Sequence, residues 1–146
     1  MAWSTGVTMA DVNGDGLLDI YVCNSGDVDG NRKKNELFIN NGNLTFTEQG
    51  REYNLDNEGY STHAAFFDYD QDGDLDCYIL NNSFRNPDKI ELYRKVREQP
   101  SPTGHKLMRN DGNTFTDVTQ EAGIYSSDIA FGLGVAVSDL KWRSFT

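Results

Sequence analysis

Nine residues, Asp11-Val12-Asn13-Gly14-Asp15-Gly16-Leu17-Leu18-Asp19, carry oxygen-bearing side chains at alternate positions, and Asp68-Tyr69-Asp70-Gln71-Asp72-Gly73-Asp74-Leu75-Asp76 repeats the pattern. Both read D-x-[DN]-x-D-G-x-x-D. The chemistry this spacing suits is the capture of a hard cation. Ca²⁺ takes about 6–8 oxygens at roughly 2.3–2.6 Å, so a short loop of alternating carboxylates can encircle it. The spacing predicts two sites. The first would use the side chains of Asp11, Asn13, Asp15 and Asp19 with the Leu17 carbonyl. The second would use Asp68, Asp70, Asp72 and Asp76 with the Asp74 carbonyl. Gly16 and Gly73 fall where the loop must reverse, a place that suits a residue able to take positive φ. Without a cation, carboxylates this crowded repel one another. The competing reading is an acidic, solvated turn, and the doubling with both glycines in place argues against it.

The flanks decide what kind of cation loop this is. An EF-hand would carry a bidentate Glu at position 12 between two helices. Val22 and Ile79 stand there instead. Leu18-Asp19-Ile20-Tyr21-Val22-Cys23 and Leu75-Asp76-Cys77-Tyr78-Ile79-Leu80 follow the loops and are strand-like, rich in β-branched and aromatic residues. Extended segments at 4–10 and 61–67 precede them. Each loop therefore joins two strands.

These strands belong to a repeat. After each strand–loop–strand unit comes a hairpin segment, 36–48 in the first copy and 106–117 in the second. Asn41-Gly42 and Asp111-Gly112 are the predicted two-residue turns, since a type I′ turn needs positive φ at both central residues. A third copy begins at 132–138, and Asp139 would open its loop, but Lys141, Trp142 and Arg143 follow where acids and glycine belong. The second unit is longer by an insertion at 81–104. There Asn86-Pro87-Asp88 and the spacing of Ile90, Tyr93 and Val96 predict a short surface helix, with a long hairpin as the alternative.

The chain of 146 residues has 13 Lys and Arg against 23 Asp and Glu, a formal charge of −10. That balance disfavours nucleic acid and anionic membranes and favours cations. No apolar run approaches the roughly 20 residues needed to span a bilayer, and no basic or apolar leader precedes the first strand. Cys23 and Cys77 occupy strand positions filled by aliphatics in the other copy, which predicts small buried hydrophobes instead of a disulfide.

Four-strand units of this length with D-x-[DN]-x-D-G-x-x-D between their first two strands resemble FG-GAP/VCBS repeats, the blades of integrin-like β-propellers. The segment Asn110-Asp111-Gly112-Asn113-Thr114-Phe115-Thr116-Asp117-Val118-Thr119, with Ala122-Gly123-Ile124, resembles the branch found beside ASPIC/UnbV domains in cartilage acidic protein relatives. The resemblance implies an all-β fold of antiparallel four-stranded blades: a first blade at 1–58, a second at 59–129, and at 130–146 the first strand of a third blade with a non-matching tail. Such propellers close with about seven blades, so this chain is expected to be part of a larger protein that is extracellular or at the cell surface. Structural calcium and recognition surfaces on loops are further implications.

Three functions compete. The first is a calcium-stabilised scaffold or protein-interaction module without catalysis, and it is the expectation adopted. The second is a catalytic fragment of a secreted enzyme, for which His63 and His105 are the candidates, His63 because its counterparts are Gly6 and Gly134 in strands that would line a central channel. No nucleophile triad, phosphate loop or zinc spacing accompanies them. The third is carbohydrate binding through Trp3, Tyr53, Tyr60 or Tyr125, against the ordinary use of aromatics in a strand-rich core. Two blades in isolation leave their flanks uncovered, which predicts self-association through exposed blade edges.

Overall fold

The computed structural model describes residues 2–27, 29, 31, 33–82, 101 and 103–138. Eight strands form two antiparallel four-stranded sheets. The first runs in the order β1 (Ser4–Ala10), β2 (Asp19–Asn24), β3 (Glu36–Asn40), β4 (Phe46–Glu48). The second repeats it with β5 (Tyr60–Phe67), β6 (Asp76–Asn82), β7 (Lys106–Asn110) and β8 (Phe115–Asp117). The order follows the chain, as consecutive strands pair with their neighbours in space. The helix expected within the insertion falls on 83–100, outside the described residues.

Strand alternation sorts the side chains into two faces. Tyr21 pairs with Leu37 and Thr8 in register, so these residues share one face of the first sheet with Cys23 and Ile39. That face packs on the face of the second sheet carrying Ala64, Phe66, Cys77, Ile79 and Met108, and together they form the core. Tyr21 and Phe66 meet edge to face at 5.7 Å between ring centroids. Burying side chains of this size contributes roughly 1.5–3 kcal/mol each. Both cysteines are free and lie in this interface. Burial pushes the Cys23 thiol up to about 12, so it behaves as a small apolar group.

Polar groups between the sheets are paired, as burial demands. The Tyr21 hydroxyl donates to the Leu55 carbonyl and accepts from Asn35 Nδ2, both at 2.9 Å. The Ser61 hydroxyl donates to Asn81 Oδ1 at 2.8 Å. Along the inner edge, β1 lies against β5. Each strand has a register shift at the same place, between Ser4 and Gly6 and between Ser61 and His63. Gly6 is required there: a Cβ would stand 2.5 Å from the Thr62 carbonyl oxygen and 3.2 Å from the His63 Cα. His63 thus packs against the inner strand of the neighbouring sheet, at the close approach expected from its alignment with Gly6.

Two expectations are corrected. Residues 132–138 do not form the predicted first strand of a third unit. The residue before them, Phe131, makes one antiparallel bridge with Asn82 of β6, and the Thr62 hydroxyl of β5 donates to the Gly132 carbonyl at 2.6 Å. A strand needs a ladder on its other side to be held straight, and the described residues offer none. The hairpin turns are displaced by one residue. In the second, positive φ falls on Gly112 and Asn113, within a turn closed by the Asp111 N–H to Thr114 carbonyl bond. The Asn110 side chain accepts from the Asn113 N–H and so holds that register. The first turn is longer, closed from Asn41 to Thr45 with positive φ at Gly42 and Leu44. Of the candidate aromatics, Tyr53 is a core residue, the ordinary use weighed against sugar binding, whereas Trp3 and Tyr125 are exposed.

Candidate metal loops

Each acidic loop is the turn from the first to the second strand of its sheet. In the first, the Asp11 carboxylate accepts the Asp15 N–H at 3.0 Å and the Gly16 N–H at 2.9 Å. Asn13 Oδ1 also accepts from Asp15 N–H, and Asp15 Oδ1 accepts from Leu17 N–H. The loop is therefore wound around its own side-chain oxygens. Gly14 and Gly16 have φ of 74° and 88°, conformations that L side chains resist. In the second loop the Gly73 N–H likewise meets Asp68 Oδ2, at 3.3 Å. Gly73 has φ 101°, but the counterpart of Gly14 is Gln71, held at φ 65°.

Asp19 and Asp76 differ from the other acids. Both are fully buried and both staple the loop to the hairpin. Asp19 takes the Val12 N–H at 2.9 Å on one oxygen and the Asn40 N–H at 2.8 Å on the other. Asp76 does the same with Tyr69 at 2.6 Å and Asn110 at 2.9 Å. Sequence reasoning missed Asn40 and Asn110, although an Asn stands before both Asn41-Gly42 and Asp111-Gly112. Asn110 also donates from Nδ2 to the Val12 carbonyl at 3.3 Å, which links the second sheet to the first loop.

In the second loop, ligand oxygens of Asp68, Asp70 and Asp76 lie within 4.8 Å of one another. Oxygens around one Ca²⁺ stand at most about 5 Å apart, so this set fits such an ion. Asp72 Oδ1 accepts the Asp74 N–H at 3.1 Å, as Asp15 Oδ1 accepts the Leu17 N–H in the first loop. Asp74 Oδ1 is enclosed with no hydrogen-bond partner. Burial, then the Asp72 carboxylate, push the Asp74 carboxyl up to about 6. Burial also raises Asp76, with Asp70 and Asp72 adding to it, although the Asn110 and Tyr69 N–H groups pull the other way. In the first loop Asp11 and Asn13 are half-buried and Asp15 and Leu17 exposed, with Asn13 Nδ2 bonded to Asp15 Oδ2 at 3.0 Å.

Of the two histidines, His105 accepts the Asn81 N–H on Nδ1 at 3.2 Å, a bond that occupies it structurally. Its counterpart Asn35 makes the same bond through Oδ1 to the Asn24 N–H at 2.9 Å. Neither histidine is grouped with two acids or cysteines in a metal-binding arrangement among the described residues.

Paired four-stranded sheets, each with its acidic turn between first and second strands, define an all-β repeat protein built as propeller blades are. Residues 11–79 match the FG-GAP-like repeat, a span that opens on the first acidic loop and closes after the second. No curated protein matches the chain. No helix among the described residues is long and apolar enough to cross a membrane.

Proposed function

We propose that the chain is a calcium-binding segment of a β-propeller, serving an extracellular or cell-surface protein as a non-catalytic scaffold or interaction module. The carrying observation is the clustering of Asp68, Asp70 and Asp76 oxygens within 4.8 Å on a loop whose pattern recurs at 11–19. Two ions are proposed, held by Asp11, Asn13, Asp15, Asp19 and the Leu17 carbonyl, and by Asp68, Asp70, Asp72, Asp76 and the Asp74 carbonyl. Bound Ca²⁺ would relieve the repulsion among carboxylates that burial and mutual proximity already strain. A finer placement, beside ASPIC/UnbV domains, rests on the 110–124 segment. Calorimetric titration of chelator-treated protein tests the calcium reading. Two binding events are expected, the second loop depending more steeply on calcium because it has one more carboxylate. A single event, or equal preference for Mg²⁺ at both loops, sinks it.

A further inference from the structure

The strand ends opposite the acidic loops carry a second feature. A cleft of about 630 Å³ opens at the start of β7 and the end of β8, lined among others by His105, Lys106, Asp117, Gln120, Ile124 and Tyr125. This volume lies in the range of small-molecule sites, about 300–1,000 Å³. The first sheet has a cleft of about 530 Å³ in the corresponding place, lined among others by Lys34, Asn35, Glu36, Glu48, Arg51 and Asp56. Strand register fixes the correspondence. Glu36 and Lys106 face Val22 and Ile79, and Glu48 and Asp117 face Phe38 and Met108. The following turn repeats as well, with Leu55 N–H bonded to the Gly50 carbonyl and Ile124 N–H to the Thr119 carbonyl. Arg51 therefore corresponds to Gln120, and Asp56 to Tyr125.

The repeat keeps the cleft and exchanges its chemistry. In the first sheet Asp56 is held by Lys34 at 2.7 Å, and Arg51, Glu36 and Glu48 leave a charged wall. In the second, the charges are spent on one another: Lys106 Nζ meets Asp117 Oδ2 at 3.1 Å. Burial would raise the Asp117 carboxyl, but the Thr119 hydroxyl and N–H and the Lys106 ammonium outweigh it and hold it low, ionised against its partner. Gln120 and Tyr125 line the same cleft and are both exposed, Tyr125 at 58%. A rim whose charges are paired, with an exposed tyrosine ring and a side-chain amide, suits a ligand with apolar C–H faces and hydroxyls around its edge. Aromatic side chains with one wet end serve such ligands.

We infer that this cleft binds a neutral saccharide unit, stacked on Tyr125 and hydrogen-bonded by Gln120. The inference does not depend on the calcium reading, since the cleft and the loops lie at opposite strand ends. Lactose, cellobiose, mannobiose and chitobiose, each titrated to millimolar concentration against the full chain, are the probes, read by calorimetry in calcium and again in chelator. Saturable binding of at least one is expected. Tyr125→Ala should weaken it by about fivefold to tenfold, Tyr125→Phe should retain it, and Asp56→Ala in the first cleft should leave it unchanged. Thermal melts of each variant show whether the fold persists. If no probe binds folded protein, or if Tyr125→Ala binds as tightly as the parent, the proposal is wrong.

Discussion

The hydroxyl of Thr62 donates to the Gly132 carbonyl at 2.6 Å, and this bond copies the one by which Thr5 reaches the Ser61 carbonyl from the first sheet to the second. Both threonines sit at the register shift of an inner strand, where the extra residue turns its side chain toward the next repeat. Residues 131–138 therefore occupy the place of a third inner strand while making almost none of its ladder.

The first prediction follows from that bond. Thr5→Val should lower stability by about 1 kcal/mol, the usual worth of one such hydrogen bond. Thr62→Val should cost less globally but release the segment at 131–138. Limited proteolysis of the two variants checks this, and equal cleavage after Asn82 and after Phe131 in both would count against it.

The second prediction separates two kinds of loop aspartate. Asp19→Ala and Asp76→Ala orphan two backbone N–H groups each, one in the loop and one in the hairpin. They should cost about 3 kcal/mol or more, and should do so even in chelator. Asp15→Ala should cost little in chelator and remove most of the calcium-dependent rise in melting temperature at its own loop. Denaturant titrations with and without calcium distinguish them. Equal losses for Asp15→Ala and Asp19→Ala in chelator would remove the distinction.

The staple shows what the sequence made legible and what it hid. Alternating acids, glycines and β-branched flanks are local signals, and they placed both loops, the strands around them and the repeat. The partners of Asp19 and Asp76 are backbone N–H groups of Asn40 and Asn110, brought near only by sheet pairing, so no local pattern announces them. The hairpin dipeptides misplaced the turns because Asn110 caps Asn113 by its side chain, a contact that outweighs dipeptide preference. Tyr53 sits in a polar turn, so the sequence alone leaves it between a sugar platform and an ordinary core aromatic. Its burial comes from the neighbouring sheet, where Phe115 N–H bonds its carbonyl at 2.9 Å.

The third prediction concerns backbone strain. Gln71 at φ 65° and Leu44 at φ 65° with 97% exposure hold a conformation that costs an L side chain roughly 1–2 kcal/mol. Gln71→Gly and Leu44→Gly should each stabilise the protein by about 0.5–1 kcal/mol after the extra entropy of glycine is subtracted. Gln71→Gly also reproduces the Gly14 of the first loop. Melting temperatures that fall in both variants would rule out the strain argument.

The fourth prediction is a pH dependence. Burial lowers the pKa of His105 below its ordinary 6.5, in keeping with a neutral ring accepting the Asn81 N–H. A depressed folded-state pKa means the unfolded chain binds the proton first. The stabilising contribution is complete above about pH 6.5 and is lost as pH falls through the folded value. Lys106, Asp117 and Tyr78 lie around the ring, and Asp74 titrates in the same region, so the comparison must be internal. His105→Asn, which copies Asn35, should keep the acceptor and flatten this part of the profile. Parallel stability–pH curves for the parent and this variant would contradict it.

The last prediction concerns the uncovered face of the first sheet. Val7 and Met9 are 59% and 56% exposed there, beside half-buried Ile20, Val22 and Phe38. Their counterparts in the second sheet, Ala64, Phe66, Cys77, Ile79 and Met108, form the core against the first. The same face is thus covered in one copy and open in the other. Repeat folds bury such faces against neighbours, and a contiguous apolar face of this kind drives association when none is supplied. The 146-residue chain should therefore self-associate as concentration rises. Met9→Asp should suppress this without lowering the melting temperature of dilute protein, because Met9 is exposed and lies outside the core. Sedimentation velocity over a range of concentrations, with and without calcium, decides the matter. A monomer at every concentration, or association untouched by Met9→Asp, would show that this face is not what brings copies together.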